Sequence, residues 1–216
     1  MLAVPDRLAY AVTPEATIFL DIGNDRYFRL PPALEPPFRA ALTGATLTVD
    51  ALERLQRLGV LEARPELTGA QRRMVGPVAM SAVDSQDAQA RIGAAVALSA
   101  ALSLCRAQAL LRRGFAEALA ALRDRPARLA ASRSPDAVQS ASLAFVSARR
   151  FVPMQPICLR DSLALLDFLN RRSLDADLVF GVLARPFSAH CWLQLGGLAL
   201  NDELDNLSGR TPILVI

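Results

Sequence analysis

The chain has 216 residues, 52% of them hydrophobic, and all 24 of its basic residues are arginine, set against 21 acids and a single histidine. That length holds one sizeable domain or a small and a medium one, and the apolar share excludes a disordered scaffold. The net charge of +3 is uneven: residues 1–66 carry seven Arg and nine acids, 67–150 twelve and five, and 151–216 five and seven.

The N-terminal part reads as paired strands followed by two helices. Leu8–Val12, Thr17–Ile22 and Arg26–Leu30 have β-type composition, and Gly23-Asn24-Asp25 between the last two tolerates the positive φ of a hairpin turn. Pro31-Pro32 stops the sheet. A short helix over about 34–42 closes at Gly44, and Thr48 caps a second helix ending at Gly59. In that second helix Val49, Leu52, Leu55 and Leu58 share one face. Pro65, Gly69, Gly76 and Pro77 then crowd together. They divide a first domain, 1–66, from a second, 78–216.

Residues 81–150 are rich in Ala and Leu and predict three helices. Breaks are expected near Ser103–Cys105 or Gly114, at Arg125-Pro126, and at Ser134-Pro135. Pro156 then suits the first position of a helix reaching about Arg172, with Leu159, Leu163, Leu166 and Leu169 on its buried side. Strands over 178–182, 190–195 and 198–201 follow, the last two joined at Gly196-Gly197.

The single histidine narrows the chemistry. Any hydrolysis through imidazole must use His190. There is no G-x-S-x-G nucleophile elbow. Cys158 lies in the first turn of a predicted helix, where unpaired N–H groups stabilise a thiolate. Asp202 can accept the other ring N–H of His190 and orient it. The Cys158 N–H and the Gln155 side chain are candidate oxyanion donors. By spacing alone, a lone Cys is usually a small buried hydrophobe, a lone His is more often a core residue than a catalyst, and Asp202 is equally an exposed strand-end residue.

The runs Cys158-Leu159-Arg160-Asp161-Ser162-Leu163, Leu178-Val179-Phe180-Gly181-Val182, Pro186-Phe187-Ser188-Ala189-His190-Cys191-Trp192 and Asn201-Asp202 resemble the transglutaminase-like leader peptidases of lasso-peptide biosynthesis. The order Cys, His, Asp agrees with that family. The resemblance implies that Cys158, His190 and Asp202 form a papain-type triad. It implies cleavage at a leader–core junction, with a lasso precursor peptide as substrate and an ATP-dependent macrocyclase as pathway partner. Two departures stand out: Cys191 replaces a common Ala, and Arg172-Ser173 replaces a usual Gly after the nucleophile helix. Residues 1–66 resemble the winged-helix element that holds leader peptides by strand addition. Tyr27, Phe28, Arg29, Leu52 and Leu55 would line that groove. Tyr27 and Phe28 point opposite ways on their strand, so at most one lines it and the other is core.

The fold expected is therefore α+β: a small winged-helix-like module, then a papain/transglutaminase-like domain with a helical first part and an antiparallel sheet. No cofactor is called for, and one His with scattered Cys supplies no closed metal ligand set. The N-terminus lacks a basic region followed by an apolar run. The longest uncharged stretch, Ile92 to Cys105, is 14 residues, and three irregular cysteines make no disulfide framework. These features indicate a cytoplasmic protein without a transmembrane segment. A DNA-binding winged helix is disfavoured by the net −2 of residues 1–66, so no nucleic-acid partner is expected. An acyltransferase using the same triad differs only in its acceptor, an amine in place of water. Finally, Asp202 reaches His190 along a regular hairpin only if the Gly196-Gly197 turn is odd-length or bulged. That register also puts Trp192, Leu198 and Leu200 on the face of the Cys158 helix.

Overall fold

The computed structural model describes residues 2–64, 73–84, 93–123 and 132–216. After a two-residue strand β1 (Leu2–Ala3), strands β2 (Leu8–Val12), β3 (Thr17–Asp21) and β4 (Arg26–Arg29) form an antiparallel meander with β3 in the middle. At the β3–β4 turn the Asp21 carboxylate accepts hydrogen bonds from the Asn24 backbone and side chain, at 3.1 and 2.9 Å. Asp25 takes the left-handed φ of 49° that the turn demands. Helices α1 (Glu35–Leu42) and α2 (Val49–Arg57) follow, and β5 (Glu62–Ala63) returns to pair with β1. Thr48 caps α2, its hydroxyl accepting from the Ala51 N–H at 3.3 Å.

The meander is buried on both faces. On one, Phe19 packs with Phe38 of α1 and Leu55 of α2 in the module's own core. On the other, Ala9, Ala11, Ile18 and Leu20 join the large core of the C-terminal part. Cross-strand partners share a face, so register assigns Tyr27, paired with Leu20, and Arg29, paired with Ile18, to this second side. The two halves thus share one continuous core, a feature that the alternating composition of the strands does not disclose.

Arg73, Val75 and Val78 already pack with the C-terminal part. β6 (Met80–Ser81) forms its sheet edge, and α3 (Ala94–Leu111), α4 (Phe115–Arg123) and α5 (Pro135–Arg149) precede the central helix α6 (Cys158–Asn170). Strands β7 (Asp177–Leu183), β8 (Ser188–Leu195) and β9 (Leu198–Ala199), the short helix α7 (Leu204–Leu207) and β10 (Thr211–Val215) complete the chain. The sheet order is β10-β7-β8-β9-β6, antiparallel except for the parallel β6–β9 pair. Helix α6 lies on one face of this sheet, and Leu163, Ala164, Leu165, Leu166, Phe168 and Leu169 are all buried. The opposite face holds Val179, Trp192, Ala199 and Leu207 beneath Val75 and Val78.

Several expectations need correction. α3 runs unbroken through Ser103–Cys105, and the break falls at Gly114, with φ 113°. α3 is 18 residues with mean hydropathy 1.6, long and apolar enough to cross a membrane by those measures. Its Ala100, Ser103, Leu104 and Ala107 are nevertheless buried, and Ser103 and Arg106 both donate to Asp167 of α6, at 2.8 and 3.1 Å. The stripe assigned to α2 is also narrower than its spacing suggests: Leu55 is fully buried, but Val49 and Leu58 are 74% and 49% exposed. The break at Arg125-Pro126 lies outside the described residues, as does Pro65 of the proposed boundary. α6 begins at Cys158, two residues later than the Pro156 start. Its exit needs no glycine, because Ser173 itself adopts φ 56° and the Leu174 N–H closes on the Leu169 carbonyl at 3.0 Å.

Candidate functional site

Cys158 is the first residue of α6, with Ile157 as N-cap, so its sulfur stands where the helix N–H groups are unpaired. The preceding loop is clamped from α5 and α6. Arg149 donates to the carbonyls of Val152 and Met154, at 3.1 and 2.7 Å, and to the Asp161 carboxylate at 3.0 Å. Buried Arg160 donates to the Gln155 carbonyl and, at 3.3 Å, to Gln108 Oε1. Spacing gave no sign of these two arginines, because their partners are loop carbonyls brought close only by folding. Gln155 itself is exposed, and among the described residues its side chain has no hydrogen bond.

His190 sits near the start of β8, and its Nε2 meets the Asp202 Oδ2. Cys158 also acts on the ring, favouring its charged form. The Asp202 carboxylate is itself held: its Oδ1 accepts from the Glu203 N–H and the Asn206 amide, each at 2.9 Å. Its backbone carbonyl accepts from the Ser81 hydroxyl at 2.7 Å. Ser81, Asn206 and the β6 strand that carries Ser81 escaped the sequence reading, since Ser81 lies 121 positions from Asp202. Trp192 stacks near the His190 ring, centroids 6.4 Å apart. The room for it comes from Gly181, cross-strand from His190, where a Cβ would lie 2.6 Å from the Trp192 ring.

The hairpin register is the one expected to separate His190 from Asp202. Leu195 pairs with Leu198 and Gln194 with Ala199, an unbulged two-residue turn with Gly196 at φ 58°. The carboxylate reaches the imidazole anyway, because the chain leaves the sheet after Leu200. The Leu193 N–H, which a longer ladder would bond to backbone, donates instead to the Asn201 side chain at 2.7 Å. Asn201 in turn donates to Ser162 of α6 at 3.0 Å. Released from the pleat, Asp202 turns to His190. Trp192 lies on the face away from α6, and Cys191 takes the place towards it.

Ionisation follows from this packing. Cys158 is lowered to about 4, first by a hydrogen bond from the Cys191 thiol and next by His190, against the cost of burial. His190 is raised to about 9, chiefly by Asp202 and then by Cys158. Burial pushes Asp202 up, but the hydrogen bonds from His190 and Asn206 outweigh it and leave the carboxyl below its ordinary value. Cys191 is pushed well above the ordinary thiol range, first by its bond to Cys158 and then by burial, so it stays a donor. A thiolate–imidazolium pair with an orienting carboxylate can attack a carbonyl carbon and protonate a leaving amine.

The sequence-predicted groove residues fare differently. Leu55 is fully buried in the module core and cannot line a groove, while Leu52 is half-buried. Phe28 stacks on Phe19, centroids 5.1 Å apart, on the module's own side of the sheet. Tyr27 faces the C-terminal part and meets Phe187 at 5.6 Å, and Arg29 is exposed on the outer strand β4.

Residues 100–215 match the transglutaminase-like superfamily, which is more than half of the sequence. A stretch of 45 residues is 49% identical to the Microcin J25-processing protein McjB of Escherichia coli, covering 21% of this chain and 22% of that protein. The match therefore spans about a fifth of the length of this curated relative. No solved structure matches the chain. The chain belongs to the transglutaminase-like superfamily.

Proposed function

We propose that this member of the superfamily is a cysteine peptidase that removes the leader of a lasso-peptide precursor. The observation that carries the proposal is the contact between His190 and Asp202, with Cys158 as the first residue of α6 and its thiol lowered to about 4 in part by His190. The McjB likeness supports lasso-peptide processing as its setting.

The thiolate attacks the carbonyl of the scissile bond at the leader–core junction. The oxyanion formed lies against the helix terminus, where the Cys158 N–H and the Gln155 amide are the donors. His190 gives its proton to the departing amine, which becomes the N-terminus of the core. Neutral His190 then takes a proton from water, whose oxygen displaces the sulfur and releases the leader as a carboxylic acid. Residues 1–66 hold the leader as an extended strand along the outer edge of β4, a mode that draws on backbone hydrogen bonds. The freed amine passes to an ATP-dependent macrocyclase, and the reaction takes place in the cytoplasm.

The test is incubation of the full chain with a cognate precursor, followed by mass spectrometry. Wild type yields leader and core differing from the precursor by one water, and Cys158→Ala yields neither. Cleavage by Cys158→Ala would end the peptidase reading. A product joined to an added amine, with no hydrolysis, would transfer the same triad to acyl transfer.

A further inference from the structure

A cavity of about 510 Å³ opens between β4 and the turn joining β7 to β8, with Tyr27, Phe28 and Arg29 on one side and Arg185, Pro186 and Phe187 on the other. Its position follows from register. Tyr27 and Arg29 occupy the β4 face turned to the C-terminal part, and the opposing turn leads directly into the strand that carries His190. Phe187 precedes His190 by three positions, about 10 Å of extended chain. The walls are aromatic and wet at the rim: Phe187 is 51% exposed with its ring against Tyr27. Arg29 and Arg185 are both exposed, and among the described residues neither guanidinium has an ion pair or a hydrogen bond. Burial raises the Tyr27 phenol above its ordinary range. Cys191, Asp25 and Cys158 raise it further.

We infer that this cavity is a substrate subsite shared by the two halves, and that it takes an extended peptide segment with an apolar side chain next to a carboxylate. The apolar side chain fills the space between Tyr27 and Phe187. The adjacent carboxylate lies between the Arg29 and Arg185 guanidiniums, whose planar donors match its geometry. The inference rests on the peptidase reading for the direction of the chain, because the turn that forms this wall leads into the strand carrying His190. On that path the N-terminal module both holds a peptide and builds part of the site that selects it.

The charge term makes the inference testable without knowledge of the natural substrate. Three fluorescein-labelled nonapeptides of Ser and Thr, carrying Leu-Glu, Leu-Gln or Leu-Lys at the centre, are titrated into the full-length Cys158→Ala chain and followed by anisotropy. Glu is expected to bind best and Lys worst, with about tenfold between them for two guanidiniums at a solvated rim. The double variant Arg29→Glu, Arg185→Glu inverts the order. Phe187→Ala, a change at an exposed position, weakens all three peptides while keeping the order. Thermal melting confirms that each variant is folded. Equal binding of the three peptides, binding of none, or an order unmoved by charge reversal overturns the subsite. None of these readouts needs bond cleavage. Failure to cut a precursor would remove the peptidase reading while leaving the charge preference in place.

Discussion

Replacing Asp202 with Asn keeps an oxygen that can accept from the imidazole but removes the charge that stabilises imidazolium. In the wild type the His190 and Asp202 side chains are only 20% and 15% exposed, and the carboxylate is the largest cause holding His190 near 9. Without it, the Cys158 sulfur alone favours the charged ring, and burial opposes it. A full return to 6.5 would cut the charged fraction at pH 8 from about 90% to about 3%, roughly thirtyfold. Because the group's pKa is raised in the folded site, the charged ring is present below that value and lost as pH rises through it. The asparagine variant must therefore lose it at lower pH. His190 is the single histidine in the sequence, so chains labelled with [13C]histidine report its titration by NMR without assignment. The midpoint should fall from about 9 towards 6.5. The alkaline limb of precursor cleavage should fall with it. Equal midpoints in the two chains would refute the view that Asp202 sets the imidazole's charge.

Two other perturbations probe the same site. Cys191→Ala removes the donor that most lowers Cys158, so the acid limb of Cys158 alkylation by iodoacetamide should move up from about 4. The rate at pH 5 should drop while that at pH 8 holds; an unmoved limb would mean the Cys191 thiol does not stabilise the thiolate. Gly181→Ala drives a Cβ to 2.6 Å from the Trp192 ring. Such overpacking costs about 1–3 kcal/mol in urea unfolding. Unchanged stability would show that Trp192 can shift without loss.

Local signals in the sequence carried the elements themselves. Thr48 capped its helix, Asn24 and Asp25 made their turn, and Leu163, Leu166 and Leu169 lined α6 as their period requires. The contact of His190 with Asp202 was legible from residue types, order and family likeness. How it is achieved was not. A hairpin rule projected along β9 sent Asp202 to the wrong face, because it assumed that the ladder continues. Whether it continues depends on Asn201 finding Ser162 on α6 and on Ser81 finding the Asp202 carbonyl, partners 39 and 121 positions away.

The sequence by itself determined which segments form helices and turns, to within a few residues at their ends, and which residues could do chemistry. Those choices depend on φ preferences, capping oxygens and side-chain spacing within a few positions. Only the tertiary structure decided that β3 is buried on both faces, that Cys191 turns towards α6, and that Tyr27 meets Phe187. Strand alternation says which residues share a face. What covers that face is decided by packing between segments distant in sequence, and burial and charge at the site follow from that packing.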